Sequence, residues 1–216
     1  MKVVSVVLVD DHRVVTRSLK AWLESFPDLK VVGIAVNGEE LLARLAEWKP
    51  NVILQDLLMP GGIDGIETTR RVLQLAPSAR VIALTASIDE ARMMGVLRAG
   101  AVGYVRKDAE PEILLAAVRA VAAGKTYIDP SVGKHILLQP SASHEDLTPR
   151  ETDVLRQLAL GRSNREIATA LLIGEETVKS HVGSVFAKLQ VENRAQAIVR
   201  AMKLRIVSLE ELDEIE

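Results

Sequence analysis

Hydrophobic residues along the first 125 positions fall into two alternating patterns. Short, nearly continuous apolar runs rich in β-branched residues occupy positions 3–9, 30–36, 51–54, 80–84 and 101–105. Between them, positions 14–25, 39–48, 65–75, 89–98 and 110–123 carry apolar residues spaced three and four apart. The first pattern predicts strands and the second predicts helices. The runs VVSVVLV, NVIL and RVIAL do not alternate with polar residues. Strands buried on both faces have that composition, so the sheet should be parallel and covered by helices on both sides. The run at 30–36 is interrupted by Gly33, which weakens its strand signal. The expectation is an α/β fold with a five-stranded, parallel, doubly wound sheet.

After Gly124 the alternation stops. Positions 126–146 carry Pro130, Gly133, Pro140 and several serines, and read as a linker with one helical turn near 132–138. From Leu147 onward the pattern is helical. Thr148-Pro149-Arg150-Glu151 has the form of a capping box with proline at the first helical position. Ser163-Asn164-Arg165-Glu166 is a second, and Asn193 with Gln196 is a third, weaker one. Gly161 and Gly174 punctuate the gaps, so four short helices are expected in residues 147–207. The expected layout is therefore a first domain at 1–125, a linker at 126–146, an all-α domain at 147–207 and an acidic tail at 208–216.

Composition changes this picture in two ways. The chain has no cysteine, which excludes disulfides and thiolate metal sites, and no apolar run approaches the length of a membrane span. With 48% hydrophobic and 26% charged residues it reads as a soluble, cytoplasmic protein. The net charge of −2 hides an asymmetry. Residues 1–125 hold 16 basic and 15 acidic side chains, residues 147–207 hold 10 basic and 6 acidic ones, and the last nine hold five acids and no base. A nucleic-acid surface therefore belongs in the helical domain.

Ligands of open parallel sheets bind beyond the carboxyl ends of the strands. The residues expected there are Asp10 and Asp11 after the first strand, Asp56 after the third, Thr85 after the fourth and Lys107 after the fifth. Clustered carboxylates suit a hard cation such as Mg²⁺. Asp56 has the chemistry of a nucleophile that forms an aspartyl phosphate, with Lys107 and Thr85 as partners for phosphoryl oxygens. Taken singly, each is more often a cap or a solvated side chain; the set at one sheet edge is what points to a site. VLVDDH at 7–12, DLLMPGGIDG at 56–65, ALTAS at 83–87 and GAVGYVRKD at 100–108 resemble a response-regulator receiver domain. The resemblance implies a flavodoxin-like strand order of 2-1-3-4-5 and phosphoryl transfer from a sensor histidine kinase to Asp56. It implies metal ligation by Asp10, Asp11, Asp56 and the Leu58 carbonyl, and switch roles for Thr85, Tyr104 and Lys107. It also implies no enzyme activity beyond slow self-dephosphorylation. One departure stands out. Gly61, Gly62 and Ile63 separate Pro60 from Asp64, one residue more than the family pattern. The extra residue reads as a flexible surface insertion; beside the site it is also placed to alter metal affinity or phosphoryl lifetime.

Within the helical domain, 164–172 and 175–189 are joined by Ile173-Gly174. The second segment sets Val178, Val182, Val185, Phe186 and Leu189 on one arc and Glu176, Ser180, Gly183, Ser184 and Ala187 on the other. Small and hydroxyl residues facing outward permit close entry into a major groove. Residues 147–197 resemble a LuxR-type helix-turn-helix, and with the receiver the chain resembles NarL-type regulators of transcription. This resemblance implies double-stranded DNA contacts by Lys179, Ser180 and Gly183, with phosphate contacts by Thr177, His181 and Lys188. Gly174 stands where a Ser or Thr cap is common, and Gln190 where glycine is common. Ala195, Ile198, Val199 and Met202 form an apolar stripe that suits either core packing or the contact of a phosphorylation-induced homodimer. Two other readings compete. A haloacid dehalogenase-type phosphatase needs an Asp two residues after its nucleophile, where this chain has Leu58. A phosphorylation-independent DNA-binding regulator finds no support in a chain that keeps Asp10, Asp11, Asp56, Thr85 and Lys107. The tail at 208–216 reads as a solvated end, or as a short acidic helix that restrains DNA binding.

Overall fold

A computed structural model describes residues 3–60, 62–86, 89–132, 147–207 and 211. The acidic tail apart from residue 211, Gly61, and most of the stretch read as a linker lie outside the described residues. Internal contacts divide the chain into residues 1–124 and 125–216.

The first unit alternates strands β1 Val4–Val9, β2 Leu29–Ala35, β3 Val52–Asp56, β4 Arg80–Thr85 and β5 Gly103–Arg106 with helices α1 Arg13–Leu23, α2 Gly38–Trp48, α3 Gly65–Leu75, α4 Glu90–Arg98 and α5 Pro111–Ala122. All four strand pairings among β1–β5 are parallel. The order of these strands is β2-β1-β3-β4-β5, the flavodoxin-like arrangement. In the second unit a two-residue strand, β6 Tyr127–Ile128, falls inside the stretch read as linker. The central strands are buried on both faces: Val6, Val7, Val52, Ile53 and Ile82 are fully covered. Side-chain caps start α2 and α3, with Asn37 accepting from the Glu40 N–H and Asp64 from the Glu67 N–H.

The second unit contains helices α6 Pro149–Ala159, α7 Asn164–Leu171, α8 Glu175–Leu189 and α9 Arg194–Lys203. Two of the three expected capping boxes form, at Thr148/Glu151 and Ser163/Glu166, and at the third the Asn193 side chain accepts from the Gln196 N–H. The core joins Val154, Leu155 and Leu158 of α6, Ile167 of α7, Val178 and Val185 of α8, and Ile198 and Val199 of α9. The Arg194 guanidinium donates to the carbonyl oxygens of Leu158, at 3.3 Å, and Arg162. Burial brings its pKa down to about 10, so it stays cationic at neutral pH.

Leu172 and Gln190, which end α7 and α8, adopt the left-handed conformation with φ of 53°. That is why glycine is common at the position of Gln190: a side chain there is strained. Gly174 begins α8 without a side-chain cap.

Candidate functional site

Parallel pairing brings the carboxyl ends of β1, β3, β4 and β5 to one edge of the sheet. Asp56 ends β3 and is 1% exposed; Asp10 follows β1 and is 3% exposed. Lys107 follows β5, where its N–H donates to the Thr85 carbonyl at 2.7 Å. This backbone tie aims the lysine across the sheet edge. Its Nζ donates to Asp10 Oδ2 and Asp56 Oδ2, each at 2.7 Å. One cation thus bridges two buried carboxylates whose charges would otherwise repel.

The two acids respond differently. Burial raises the Asp56 pKa, and hydrogen bonds from Lys107 and the Leu58 N–H do not fully offset it, while Asp10 adds repulsion. Burial also acts on Asp10, but Lys107 and His12 outweigh it and its pKa is lowered. For Lys107, burial opposes the charge and the two carboxylates win, so its pKa is raised. Asp56 is therefore the carboxylate whose charge is less stabilised.

Asp11 stands beside this pair. Its Oδ1 is buried and accepts no hydrogen bond, although His12 Nδ1 lies 3.1 Å away. One ligand atom each from Asp10, Asp11, His12 and Asp56 fall within 4.8 Å of one another. Three carboxylates, one with a hydrogen-bond-free buried oxygen, fit a hard divalent cation. His12 was absent from the sequence expectation. Its backbone N–H donates to Asp10 Oδ1 at 2.8 Å and its ring Nδ1 lies 3.0 Å from the same oxygen, so it orients Asp10. Leu58 is 44% exposed and its N–H donates to Asp56 Oδ1 at 3.1 Å. Tyr104 on β5 is fully buried, and burial pushes its phenol pKa up.

The loop with the extra residue is tethered. Glu39 near the start of α2 accepts from the Ile63 N–H at 2.9 Å, and this bond holds its carboxyl below the usual range. Gly62 adopts φ of 123°, and a Cβ there would lie 2.6 Å from the Glu39 carboxylate. The positive φ favours glycine at Gly62, whereas the Glu39 carboxylate, at the end of a flexible side chain, can shift. Reading the insertion as flexible missed Glu39, which contacts the loop from 24 positions away. Gln55 was missed too; its buried amide donates to the Asp56 carbonyl at 2.8 Å.

In the second unit α7, Ile173-Gly174 and α8 form the helix-turn-helix. Val178 and Val185 face the core, whereas Thr177, Lys179, Ser180 and Gly183 are exposed and His181 is partly covered. Lys179 Nζ pairs with Glu176 Oε1 at 2.6 Å. Lys188 Nζ donates to Glu151 Oε2 of α6 at 2.7 Å. Glu151 is 5% exposed, and its bonds from Lys188 and Thr148 lower its pKa to about 2. Ala195, Ile198, Val199 and Met202 are each at most 2% exposed, so the apolar stripe of α9 is core and offers no dimer contact. The short α9 is covered by α6 and α8, which buries a stripe that periodicity alone leaves unassigned.

Comparison with known proteins places this geometry. Residues 6–119 match the family model described as response regulator receiver domain, and residues 145–201 that of bacterial regulatory proteins, luxR family. The transcriptional regulatory protein LiaR of Bacillus subtilis is 36% identical over 211 residues, covering 95% of this chain and all of LiaR. The transcriptional regulatory protein YhcZ of the same organism is 39% identical over 208 residues, covering 93% of this chain and 96% of YhcZ. Among solved structures, the response regulator ChrA of a heme-sensing two-component system is 35% identical, with a TM-score of 0.54 over 96% of this chain and all of ChrA. RcsB in an RcsB–DNA complex is 29% identical, with a TM-score of 0.59 over 92% of this chain and 99% of that one. This chain therefore belongs to the response regulators that join a receiver domain to a LuxR-type DNA-binding domain.

Proposed function

We propose that the protein accepts a phosphoryl group on Asp56 from a sensor histidine kinase and, so modified, regulates transcription by binding double-stranded promoter DNA through α8. The observation that carries the first half is Lys107, whose ammonium spans Asp10 and Asp56 at 2.7 Å. Phosphorylation of Asp56 gives Lys107 and Thr85 a more highly charged partner. Lys107 pairs with a phosphoryl oxygen and Thr85 hydrogen-bonds another. Asp10, Asp11, Asp56 and the Leu58 carbonyl would hold Mg²⁺, which would supply positive charge to offset the phosphoryl oxygens. The protein is a phosphoacceptor with at most slow self-dephosphorylation, works in the cytoplasm, and uses residues 1–125 as receiver and 147–207 as DNA-binding domain.

DNA recognition is supported by the exposed face of α8 and by the solved RcsB–DNA complex of a relative. Lys179, Ser180 and Gly183 face bases, with Thr177, His181 and Lys188 beside the phosphates. RcsB dimers have been solved on DNA. A phosphorylation-induced homodimer is proposed here too, through surfaces other than the buried stripe of α9. Acetyl phosphate with Mg²⁺ should label the wild type with acid-labile phosphate and leave Asp56→Asn unlabelled; equal labelling of both refutes the acceptor assignment. Sedimentation with and without beryllium fluoride should show a monomer becoming a dimer with tighter DNA binding. An unchanged monomer of unchanged affinity refutes the coupling.

A further inference from the structure

The exposed stripe of α8 carries a residue that a surface meeting a polyanion has reason to avoid. Glu176, Lys179, Ser180 and Gly183 recur at i, i+3, i+4 and i+7, and all four are exposed, so they share one face. Glu176 is the acid of that face, with its side chain 86% exposed, and its Oε1 lies 2.6 Å from Lys179 Nζ. A solvated pair of this kind contributes little to helix stability. Glu175 and Glu176 both lie in the first turn, where the helix dipole favours a carboxylate. On a stripe that meets DNA, Glu176 also faces repulsion from the phosphates, which a contact to a base donor would offset.

The major groove offers a carboxylate few donors. Cytosine N4 and adenine N6 carry amines, and Glu or Asp is suited to cytosine N4. A lysine is suited to guanine, which presents two acceptors, O6 and N7. In a G·C pair guanine O6 and cytosine N4 are bonded to each other, so acceptor and donor lie about one hydrogen-bond length, ~3 Å, apart. Lys179 Nζ and Glu176 Oε1 are separated by 2.6 Å. Gly183, one to two turns further along the same face, has no atom within 4 Å of where a Cβ would be, which leaves room for the helix to seat deeply.

Resting on the DNA-binding reading above, we propose that Glu176 and Lys179 act as one unit that reads a single G·C base pair, Lys179 donating to guanine and Glu176 accepting from the N4 amine of cytosine. Glu176 is then a specificity determinant that works partly by repulsion. It disfavours DNA that lacks the amine at that position and weakens attachment to random sequence.

The test uses the full-length protein with Mg²⁺ and beryllium fluoride. Wild type, Glu176→Ala and Lys179→Ala each select sites from a random duplex pool. Wild type should require one G·C pair per half-site. Glu176→Ala should relax that requirement to the weaker guanine preference that Lys179 alone supplies, which Lys179→Ala should lose, and should bind random duplex more tightly, most clearly at low salt. Replacing the cytosine of that pair by a pyrimidinone lacking only the N4 amine should weaken wild type about tenfold and leave Glu176→Ala unchanged. The proposal is overturned if Glu176→Ala keeps the wild-type base preferences and is merely tighter on every sequence, for then the carboxylate is only a charge. If wild type itself selects no sequence, the DNA-binding reading falls and takes this one with it.

Discussion

Gly183→Ala separates what the recognition helix needs for stability from what it needs for DNA. Gly183 sits in the interior of the 15-residue α8, is exposed, and has nothing within 4 Å of an added Cβ. No clash opposes the methyl group, so helix propensity alone decides the effect on folding. Alanine in an exposed helix interior is more favourable than glycine by about 0.8–1 kcal/mol. In a unit of some 60 residues that raises Tm by roughly 4–8 °C. On DNA the sign reverses. A methyl group forced into a closely packed contact costs about 1–3 kcal/mol, or ~5–150-fold in affinity. Calorimetry should show the transition of the helical unit moving up, and fluorescence anisotropy on a selected site should show weaker binding. A variant that is more stable and binds DNA as well as the wild type refutes the placement of Gly183 in the groove. A variant that gains no stability refutes the open-space argument itself.

Leu172 holds φ at 53° with its side chain 91% exposed, so it is strained without packing in return; Leu172→Gly should stabilise the helical unit by about 0.5–1 kcal/mol in urea unfolding, and a loss of stability would reveal a contact made by that side chain. Glu151 has a folded pKa of about 2 against an ordinary 4.5, so its stabilisation is complete above pH 4.5 and is lost as pH falls toward 2. Its ceiling is about 3 kcal/mol before solvent screening; Glu151→Gln should flatten the acid limb of the stability curve, and an unchanged limb would assign it to other carboxylates. Glu39→Ala frees the Ile63 N–H and should weaken Mg²⁺ binding about 3–10-fold in titration calorimetry, below the ~10–100-fold typical for outer-shell partners, because Glu39 acts only through the loop. Equal Mg²⁺ affinity would show that the loop keeps its shape without the tether.

Most of the architecture was legible because burial on both faces leaves an unmistakable pattern. The runs at 51–54 and 80–84 became β3 Val52–Asp56 and β4 Arg80–Thr85. The capping boxes at Thr148 and Ser163 marked helix starts to the residue. Strand-end placement of Asp10, Asp56, Thr85 and Lys107 followed from the strands themselves. What escaped has a common physical cause. Two residues, Tyr127–Ile128, are too short to display a period, so β6 was hidden. The Lys188–Glu151 pair joins positions 37 apart, and Glu39 reaches Ile63 across 24, distances at which sequence spacing carries no contact information. The stripe of α9 is periodic in the same way whether it faces a partner or the core, and burial by α6 and α8 decides between them.

The Arg194 guanidinium ties the beginning of the last helix to the carbonyl oxygens of Leu158 and Arg162, at and just beyond the end of the first helix of its unit. The helix-turn-helix lies between these two in sequence, and so forms an insert within a frame closed by that bond and by the packing of α9 on α6. A fragment beginning at Ser163 would retain every residue of α7 and α8 and lose the support that sets their angle. The same closure frees the exposed stripe of α8 to change, because Val178 and Val185 hold the helix from its other side. Target choice in this chain can therefore be rewritten at Glu176, Lys179, Ser180 and Gly183 without renegotiating the fold, whereas truncation inward past either framing helix forfeits the reader altogether.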